Sequence, residues 1–303
     1  MPRTFLLPCL LLSITLCTLP ALTLAESVYV SDTSRLGTVD LTTGAFHQIG
    51  PDFPDASQGL AYAPNGSLLT MGFNGNLNSI NPSTGLLTSV GPSGLSDCST
   101  PASPCASNSV NVLASFQGQT YVTDFQNRLY SVNPSTGAAT LIGSTNMPAI
   151  PFIPLSENPD GTVNIYDEAF FAANGKLYAT FDAGHIDFST GETNPVIGGA
   201  LYQIDPATAR ATAIGPTVFG IGAAVEVNGV TYAFLNATHE LATLDLLTGH
   251  TTVMGQFDEA AGIVSAAVPT PEPATTTIAG LGLAVFAVSS WIERRRRSSI
   301  PKF

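Results

Sequence analysis

Short runs of alternating apolar and polar residues follow one another from about residue 26 to residue 268. Alternation of this kind places side chains on opposite faces of an extended backbone and predicts β-strands with one buried face. Residues that favour turns separate the runs, and little helical periodicity is found before the C-terminal region. The pattern predicts one all-β domain between two terminal segments of different character.

A fifteen-residue pattern occurs five times in this domain. It starts at Leu, passes through Asp or Asn and a turn that ends in Thr-Gly, and closes at a second Gly. Its copies are Leu36 to Gly50, Leu77 to Gly91, Leu129 to Gly143, Leu201 to Gly215 and Leu241 to Gly255. Because an Asp or Asn side chain caps nearby backbone N–H groups and Gly takes positive φ without a clash, each copy is predicted to be a β-hairpin. Ala209 replaces the turn glycine in the fourth copy.

Two further strands are predicted between successive hairpins, joined by short turns such as Asn65-Gly66, Asn174-Gly175 and Asn228-Gly229. The repeating unit therefore has four strands, which we name a to d. The spacing from Gly50 to Gly91 is 41 residues and that from Gly215 to Gly255 is 40 residues. A period near 40 residues with four strands is typical of a β-propeller blade.

The two ends of the domain complete the count of blades. Residues 27–32 resemble a strand b without a strand a before it, and residues 262–268 resemble a strand a with nothing after it. Pairing of these two segments would complete one blade and leave no open sheet edge. We therefore expect a five-bladed β-propeller of four-stranded blades, closed by its N- and C-terminal strands.

The connections in a propeller lie on two faces. The a-to-b and c-to-d turns are short here, and we name their side the plain face. The d-to-a and b-to-c connections share the opposite, decorated face and carry the predicted insertions, which are residues 92–111, 144–167 and 183–199. Since binding residues concentrate on loops held by a rigid scaffold, we expect any binding on the decorated face.

Charge narrows the class of partner. Residues 26–273 contain 21 acidic residues and four basic ones, a formal balance of −17, and the basic residues are Arg35, Arg128, Lys176 and Arg210. An acidic surface repels phosphate backbones, so nucleic acid is a poor partner. Cations, neutral glycans and proteins remain candidate binding partners.

Two cysteines, Cys98 and Cys105, remain once the N-terminal segment is set aside. They close a short loop, which in an exported protein favours a disulfide. A metal site would need more soft ligands than this loop offers.

Both ends of the chain have the character of targeting segments. Residues 1–25 contain Arg3, a long apolar run and Thr23-Leu24-Ala25 at a cleavage position, which is typical of a secretory signal peptide. A Pro-rich linker at 269–273 is followed by uncharged residues 274–292 and a basic tail at 293–303. The uncharged segment is long enough to span a bilayer as a transmembrane helix, and a permanent stop-transfer anchor is one interpretation.

The order of features at the C-terminus resembles the PEP-CTERM sorting signal of Gram-negative bacteria. That resemblance rests on a Pro-Glu-Pro motif, a short apolar helix and an arginine cluster, formed by Pro271, Glu272, Pro273, Arg294, Arg295, Arg296 and Arg297. It implies recognition in the inner membrane by an exosortase, removal of the tail, and release to the cell surface or the extracellular polysaccharide matrix.

One group of residues in the sequence is a candidate for metal binding. No zinc-protease motif, phosphate loop, nucleophile elbow or dinucleotide fingerprint is present. The predicted b strands end in oxygen-bearing residues at matching positions, Asp32, Asn74, Asp124, Asp182 and Asn236. Near a central channel these could bind a hard cation such as Ca²⁺. The alternative is that they are ordinary turn residues that bind local backbone, in which case no cofactor is expected.

Asp167 and Glu168 are a further acidic pair next to an insertion, where solvated loop acids are expected. The sequence thus favours a non-enzymatic binding or structural module of the cell surface or matrix, with a polysaccharide or an envelope protein as partner. A metal-dependent hydrolase or lactonase that uses Asp32, Asp124 and Asp182 is the alternative. Fold analogy by itself establishes neither function.

Overall fold

The computed structural model describes residues 27–95, 110–149, 157–187, 189–190, 192–258 and 262–268. The predicted signal peptide, the pair Cys98 and Cys105, the Pro-Glu-Pro motif, the apolar segment 274–292 and the arginine cluster lie outside these residues. Within the described part of the chain, no helix has the length and apolar character needed to cross a membrane.

The described residues form twenty β-strands. The first seven are β1 (Ser27–Ser31), β2 (Leu36–Asp40), β3 (Phe46–Ile49), β4 (Ser57–Tyr62), β5 (Leu68–Gly72), β6 (Asn76–Ile80) and β7 (Leu87–Pro92). The next eight are β8 (Val110–Phe116), β9 (Gln119–Asp124), β10 (Arg128–Val132), β11 (Ala139–Ser144), β12 (Val163–Ala173), β13 (Lys176–Asp187), β14 (Glu192–Ile204) and β15 (Ala211–Pro216). The last five are β16 (Ile221–Val227), β17 (Val230–Leu235), β18 (Glu240–Leu244), β19 (Thr251–Gln256) and β20 (Ser265–Ala267).

These strands make five antiparallel sheets of four strands each, so the chain folds as a five-bladed β-propeller. From the axis outwards, blade 1 has the order β20-β1-β2-β3, and blades 2 to 5 take β4 to β7, β8 to β11, β12 to β15 and β16 to β19. The innermost strands β4, β8, β12, β16 and β20 lie side by side around the axis and close a ring. The predicted fold class and blade count are confirmed.

The ring is closed by pairing of the chain's two described ends. In the register of β20 with β1, Tyr29 lies opposite Ala267 and Ser31 opposite Ser265. The hydroxyl groups of Ser31 and Ser265 are 3.0 Å apart and buried, and either oxygen can donate to the other. The predicted closure between residues 27–32 and 262–268 is therefore confirmed. It covers the inner edge of β1, which would otherwise be unpaired.

Each pair of neighbouring blades shares one hydrophobic cluster. Between blades 3 and 4, for example, Leu129 packs with Leu177 and Phe181, and all three are fully buried. Corresponding clusters lie between the other four pairs of blades. Full burial of a side chain of this size contributes about 2 kcal/mol. The apolar face of each strand is thus used against the adjacent sheet, as the alternating pattern predicts.

The five repeated hairpins have the turn chemistry predicted from their sequences. In each turn the Asp or Asn side chain accepts a hydrogen bond from the backbone N–H two residues later, at 2.8 to 3.0 Å, and these acceptors are Asp40, Asn81, Asn133, Asp205 and Asp245. Ala209 takes a left-handed conformation with φ of 64° where the other turns have Gly. This position costs an L-residue about 1 kcal/mol.

The turn glycine also packs against the blade before it. Gly137 in blade 3 faces the backbone of Gly91, the closing glycine of blade 2, so closely that a Cβ at Gly137 would overlap the carbonyl oxygen of Gly91. Nearby, the N–H of Ala139 donates to the carbonyl of Ser93 at 2.9 Å. Gly85 with Gly50 and Gly249 with Gly215 approach each other in the same way at two other blade junctions.

Blade 4 departs from the predicted layout. The insertions expected at residues 144–167 and 183–199 are partly strand, because β12 pairs with β13 without interruption from Val163 opposite Ile186 to Ala173 opposite Lys176. The third strand, β14, continues the same sheet. Residues 163–167, 183–187 and 192–198 thus form a three-stranded blade 4 extension on the decorated face. These insertions are therefore largely continuations of the blade strands, and their backbone groups are satisfied by pairing with each other.

Polar side chains attach the preceding segment to the blade 4 extension. The Asn158 amide donates to the side-chain oxygens of Thr162 and Asn164, at 3.0 and 2.8 Å. His185 Nδ1 lies 2.7 Å from Asn164 Oδ1, across the β12 and β13 pairing. These contacts fix residues 157–162 against the sheet.

We expect Gly137→Ala to destabilise the protein far more than Gly66→Ala. Both glycines have φ of 83°, but a Cβ at Gly66 has no atom within 4 Å, whereas one at Gly137 overlaps blade 2. The strain at Gly66 costs about 1 kcal/mol, and the added overlap at Gly137 brings the loss to about 3 kcal/mol. Denaturant unfolding of the two variants measures both values, and equal losses would show that the blade contact is not tight.

Candidate functional site

The central channel of the propeller is narrow, and small side chains from the five innermost strands contribute to its lining. Its mouth on the plain face has a volume of about 160 Å³ and is bordered by Ala61, Ala114, Ala172, Ala224 and Ala266. Deeper in, the space falls to about 10 Å³. On the decorated face, acidic side chains lie at or near the ends of the b strands β1, β9 and β13 and on the innermost strand β12.

Two of the five predicted ligands, Asp32 and Asp124, are held by their own b-to-c turns. Asp32 Oδ1 accepts from the N–H groups of Ser34 and Arg35 at 2.9 Å each, and its Oδ2 lies 2.6 Å from the guanidinium of Arg35. Asp124 repeats this arrangement with Arg128, whose guanidinium is 2.6 Å away. Both carboxylates are buried and neutralised by an arginine from the same turn.

The hydroxyl of Tyr130 also donates to Asp124, at 3.0 Å. Burial first, and then the negative charge of Asp124, raises the pKa of Tyr130 to about 12. Asn74 has a turn role as well, since its Oδ1 accepts from the N–H of Asn76 at 3.0 Å. These three residues therefore have the local capping role of ordinary turn residues.

Asp182 and Asn236 have a different setting from the other three. The sequence suggested that Asp182 ends its strand, but β13 continues to Asp187. It lies opposite Asp167 of β12, at an irregularity in the pairing of β13 with β14. Its Oδ2 accepts from the N–H of Gly220 at 3.0 Å, and Asn236 Nδ2 donates to Asp167 Oδ1 at 3.3 Å. Both acids therefore face blade 5.

Asp167 and Glu168 are not solvated loop acids. Both lie within β12, where successive side chains point to opposite faces of the sheet. Glu168 points towards blade 3, where its Oε1 accepts from the hydroxyl of Thr123 at 3.0 Å, and it is 3% exposed. The expectation of solvated acids was wrong, because the extension of β12 moves these residues from a loop into a blade junction.

Burial has a strong effect on the protonation of these acids. It raises the pKa of Glu168 to about 8, against the opposing hydrogen bond from Thr123 and with a further increase from the charge of Asp124. Burial also raises the pKa of Asp182 to about 8, with repulsion from Asp167 adding to it. The pKa of Asp167 is raised by burial to about 6, although the Asn236 hydrogen bond lowers it. Near neutral pH this end of blade 4 therefore holds protons on carboxyl groups.

The described residues contain no group of three or more His, Cys, Asp or Glu side chains placed to hold a metal ion. The structure does not bring the five predicted ligands together into one site. Asp32, Asn74 and Asp124 cap turns in blades 1 to 3, and only Asp182 and Asn236 share a neighbour, which is Asp167. Ca²⁺ binding by all five together stays a prediction from the sequence.

A second concave region lies on the plain face between blades 4 and 5. This groove has a volume of about 580 Å³ and includes Lys176, Tyr178, Leu247 and His250 in its lining. The Lys176 ammonium donates to Gln203 at 2.9 Å, and Leu247 is 85% exposed. The plain face thus contains a groove with an exposed apolar residue, although its connections are short turns.

No protein-family model and no curated protein matches the chain. Among solved structures, a chain of the nidogen/laminin complex aligns with 11% identity over 81% of this chain and 99% of its own length, with a TM-score of 0.48. The extracellular domain of a putative hybrid two component system from B. thetaiotaomicron has 16% identity over 79% of this chain and 28% of its own, with a TM-score of 0.36.

BamB from Moraxella catarrhalis aligns with 13% identity over 78% of this chain and 60% of its own, with a TM-score of 0.30. The chain therefore spans less than two thirds of the last two relatives. At these identities and TM-scores the alignments carry no function over to this protein.

We expect Glu168→Gln to remove a pH-dependent loss of stability. A pKa raised in the folded state means that the folded protein binds this proton more tightly than the unfolded chain does. The contribution is complete below the ordinary value of 4.5 and is lost as the pH rises towards about 8. The gap in free energy of unfolding between variant and parent should therefore widen in favour of the variant from pH 5 to pH 9, by an amount on the order of 4 kcal/mol.

The measurement is thermal or denaturant unfolding of both proteins at the two pH values. Gln keeps an oxygen that accepts from Thr123, so the fold is retained. Glu192→Gln, at an exposed position of the blade 4 extension, is the matched control and should leave the pH profile unaltered. A constant gap for Glu168→Gln would show that Glu168 is ionised in the folded protein.

Proposed function

We propose that this protein is an exported β-propeller of the cell surface or extracellular matrix that binds an envelope protein through its decorated face without catalysing a reaction. The observation that carries this proposal is the blade 4 extension, which continues three strands beyond the body of the propeller. Propeller closure does not need these residues, since β12 to β15 already pair as a complete blade below them. Rigid structure that the fold does not require is suited to recognition.

The surface of the extension favours a protein partner. Val196 is 50% exposed on β14, and Val218 in the neighbouring d-to-a connection is 42% exposed. On its outer side, β14 pairs with β15 only from Ala200 onwards, so among the described strands residues 192–198 form an open edge. Exposed aliphatic side chains beside an open edge are typical of surfaces that contact another protein. Pro195 interrupts the row of N–H groups, which limits nonspecific pairing of this edge.

The hydrolase or lactonase alternative gains little from this geometry. It requires Asp32, Asp124 and Asp182 to act together on a metal or substrate. Asp32 and Asp124 are each engaged by an arginine and by turn N–H groups in different blades. Each of these carboxylates therefore stabilises its own turn, and this role needs no substrate.

Export and sorting complete the proposal. The leader at residues 1–25 would direct the chain across the inner membrane, and the tail from Pro271 to Arg297 would be recognised and removed by an exosortase. The support for this step is the order of the Pro-Glu-Pro motif, the apolar segment and the arginine cluster. The propeller would then be released to the surface.

We expect paired substitutions on the decorated face to abolish retention on the cell envelope. Val196→Asp with Val218→Asp places charges on the proposed contact surface and should lower the bound fraction about tenfold or more. Leu247→Asp with Val253→Asp adds the same charge in blade 5, away from the extension, and is the matched control. The measurement is binding of each purified protein to isolated envelope material.

Pretreatment of that material separates the classes of partner. Protease treatment should abolish binding if the partner is a protein, whereas periodate oxidation should do so if it is a polysaccharide. Loss of binding in the Leu247 and Val253 variant alone would move the contact to the groove on the plain face and contradict the proposal.

We also expect the mature protein to end near residue 273 in cells that contain the sorting enzyme. Mass spectrometry of the surface fraction should find no peptide from residues 274–303. Glu272→Ala should block removal and leave the full tail in the membrane fraction. A tail that is intact in the unaltered protein would instead support the permanent membrane anchor.

A further inference from the structure

Asp167 and Asp182 form a close acidic pair at the junction of blades 4 and 5. They are directly opposite in the antiparallel pairing of β12 with β13, so their side chains share one face of the sheet with Cβ atoms about 5 Å apart. Both carboxylates face the loop segments of blade 5, where Gly220 and Asn236 contact them. Two ionised carboxylates at this separation repel each other, so one of them keeps a proton unless a cation lies between them.

One oxygen of this pair has no partner. Asp182 is 1% exposed, and although its Oδ2 accepts from Gly220, its Oδ1 is buried without a hydrogen bond. A buried carboxylate oxygen in this state costs free energy that a ligand would recover. The irregular pairing between Phe181 and Ala183 places Asp182 at a bulge, a feature that is common beside binding sites because it redirects a side chain.

No lysine or arginine side chain among the described residues is placed to neutralise the pair. Arg35 and Arg128 bind the turn aspartates of blades 1 and 3. Lys176 is on β13 itself but six residues from Asp182, which is about 20 Å along a strand. Arg210 is exposed in the c-to-d turn of blade 4, on the plain face.

The neighbouring groups fit a hard cation. Asp167 keeps partial exposure, so the pair can be reached from the decorated face. Asn236 is not itself a free ligand, because its Oδ1 accepts from the N–H of Ile263 at 2.8 Å while its Nδ2 donates to Asp167. It holds the Asp167 carboxylate in place. Ca²⁺ accepts carboxylate oxygens in flexible geometry and completes its coordination with water, whereas Mg²⁺ loses its water reluctantly.

We propose that Asp167 and Asp182 together bind Ca²⁺ at the junction of blades 4 and 5, with Asn236 as a positioning residue. The cation bridges β12 and β13 at the level where both strands leave the blade and enter the blade 4 extension. It neutralises the two carboxylates and uses the unpartnered Oδ1 of Asp182. This site differs from the five-residue ring suggested by the sequence, and it does not depend on which partner the decorated face binds.

The test uses the full chain, purified in detergent, dialysed against a chelator and held at pH 9, above the pKa of about 8 of Asp182, so that proton competition is weak. Calorimetric titration with CaCl₂ should show saturable binding near one ion per chain. At a Ca²⁺ concentration about a hundred times the measured Kd, the melting temperature should rise by about 5 °C or more. The absence of both heat and a melting shift would overturn the proposal.

Isosteric variants locate the site. Asp182→Asn and, independently, Asp167→Asn should each abolish the Ca²⁺-induced shift, and the second variant preserves the test if the first does not fold. Asp32→Asn is the matched control, since Asp32 occupies the corresponding end of strand b in blade 1 but is bound to Arg35. It should respond to Ca²⁺ like the parent protein. An unchanged Ca²⁺ response in Asp182→Asn would overturn the assignment. It would also be overturned if neither protein responds to Ca²⁺ and Asp182→Asn is more stable than the parent, because the pair would then only share a proton.

Discussion

The close approach of backbones between neighbouring blades is the constraint on which this structure depends. At the junction of blades 2 and 3 the turn Gly137 and the closing Gly91 lie so close that neither has room for a side chain. Gly85 and Gly50 meet in the same way at the preceding junction. A hydrophobic cluster can tolerate small changes of volume, but overlapping backbone atoms cannot be relieved without moving a whole blade. The fixed spacing of the repeated pattern follows from this contact.

Once the blades are set by these contacts, the ring places the ends of its innermost strands close together. On the plain face those ends carry alanines and leave a narrow mouth. On the decorated face blade 4 brings Asp167 and Glu168 to the same level, one on each side of its sheet. Glu168 is thereby buried against blade 3, and Asp167 is partly buried against blade 5. The raised pKa values of these groups are a consequence of that position, since burial disfavours the charged form of a carboxyl group.

The acidic residues of the decorated face divide into two kinds by the source of their neutralising charge. Asp32 and Asp124 have an arginine three or four residues later in the same turn, and a short ion pair forms within the turn. Asp182 has no such neighbour in sequence, and its contacts come from blade 5 and from β12. The first kind stabilises the turn that carries it. The second kind leaves an unsatisfied oxygen at the root of the blade 4 extension, which is where a ligand would have most effect on that extension.

The sequence by itself determined the hairpins, the four-strand unit, the count of five and the closure of the ring. These features depend on local information, namely alternation along a strand and an Asp or Asn with Gly in a turn, and they repeat often enough to identify a unit. The Asp32 and Asp124 turn contacts could also be predicted, because each arginine lies nearby in the same turn. Only the tertiary structure decided that Glu168 is buried, that Asp167 is partly buried and that Asp182 faces Asp167. The predicted Asn174-Gly175 turn sets the register of β12 with β13, but that outcome depends on how far the two strands continue beyond the blade, through segments whose sequence resembles a loop. The length of a strand is decided by its contacts with neighbouring strands and blades, and the alternating pattern along one strand does not contain those contacts.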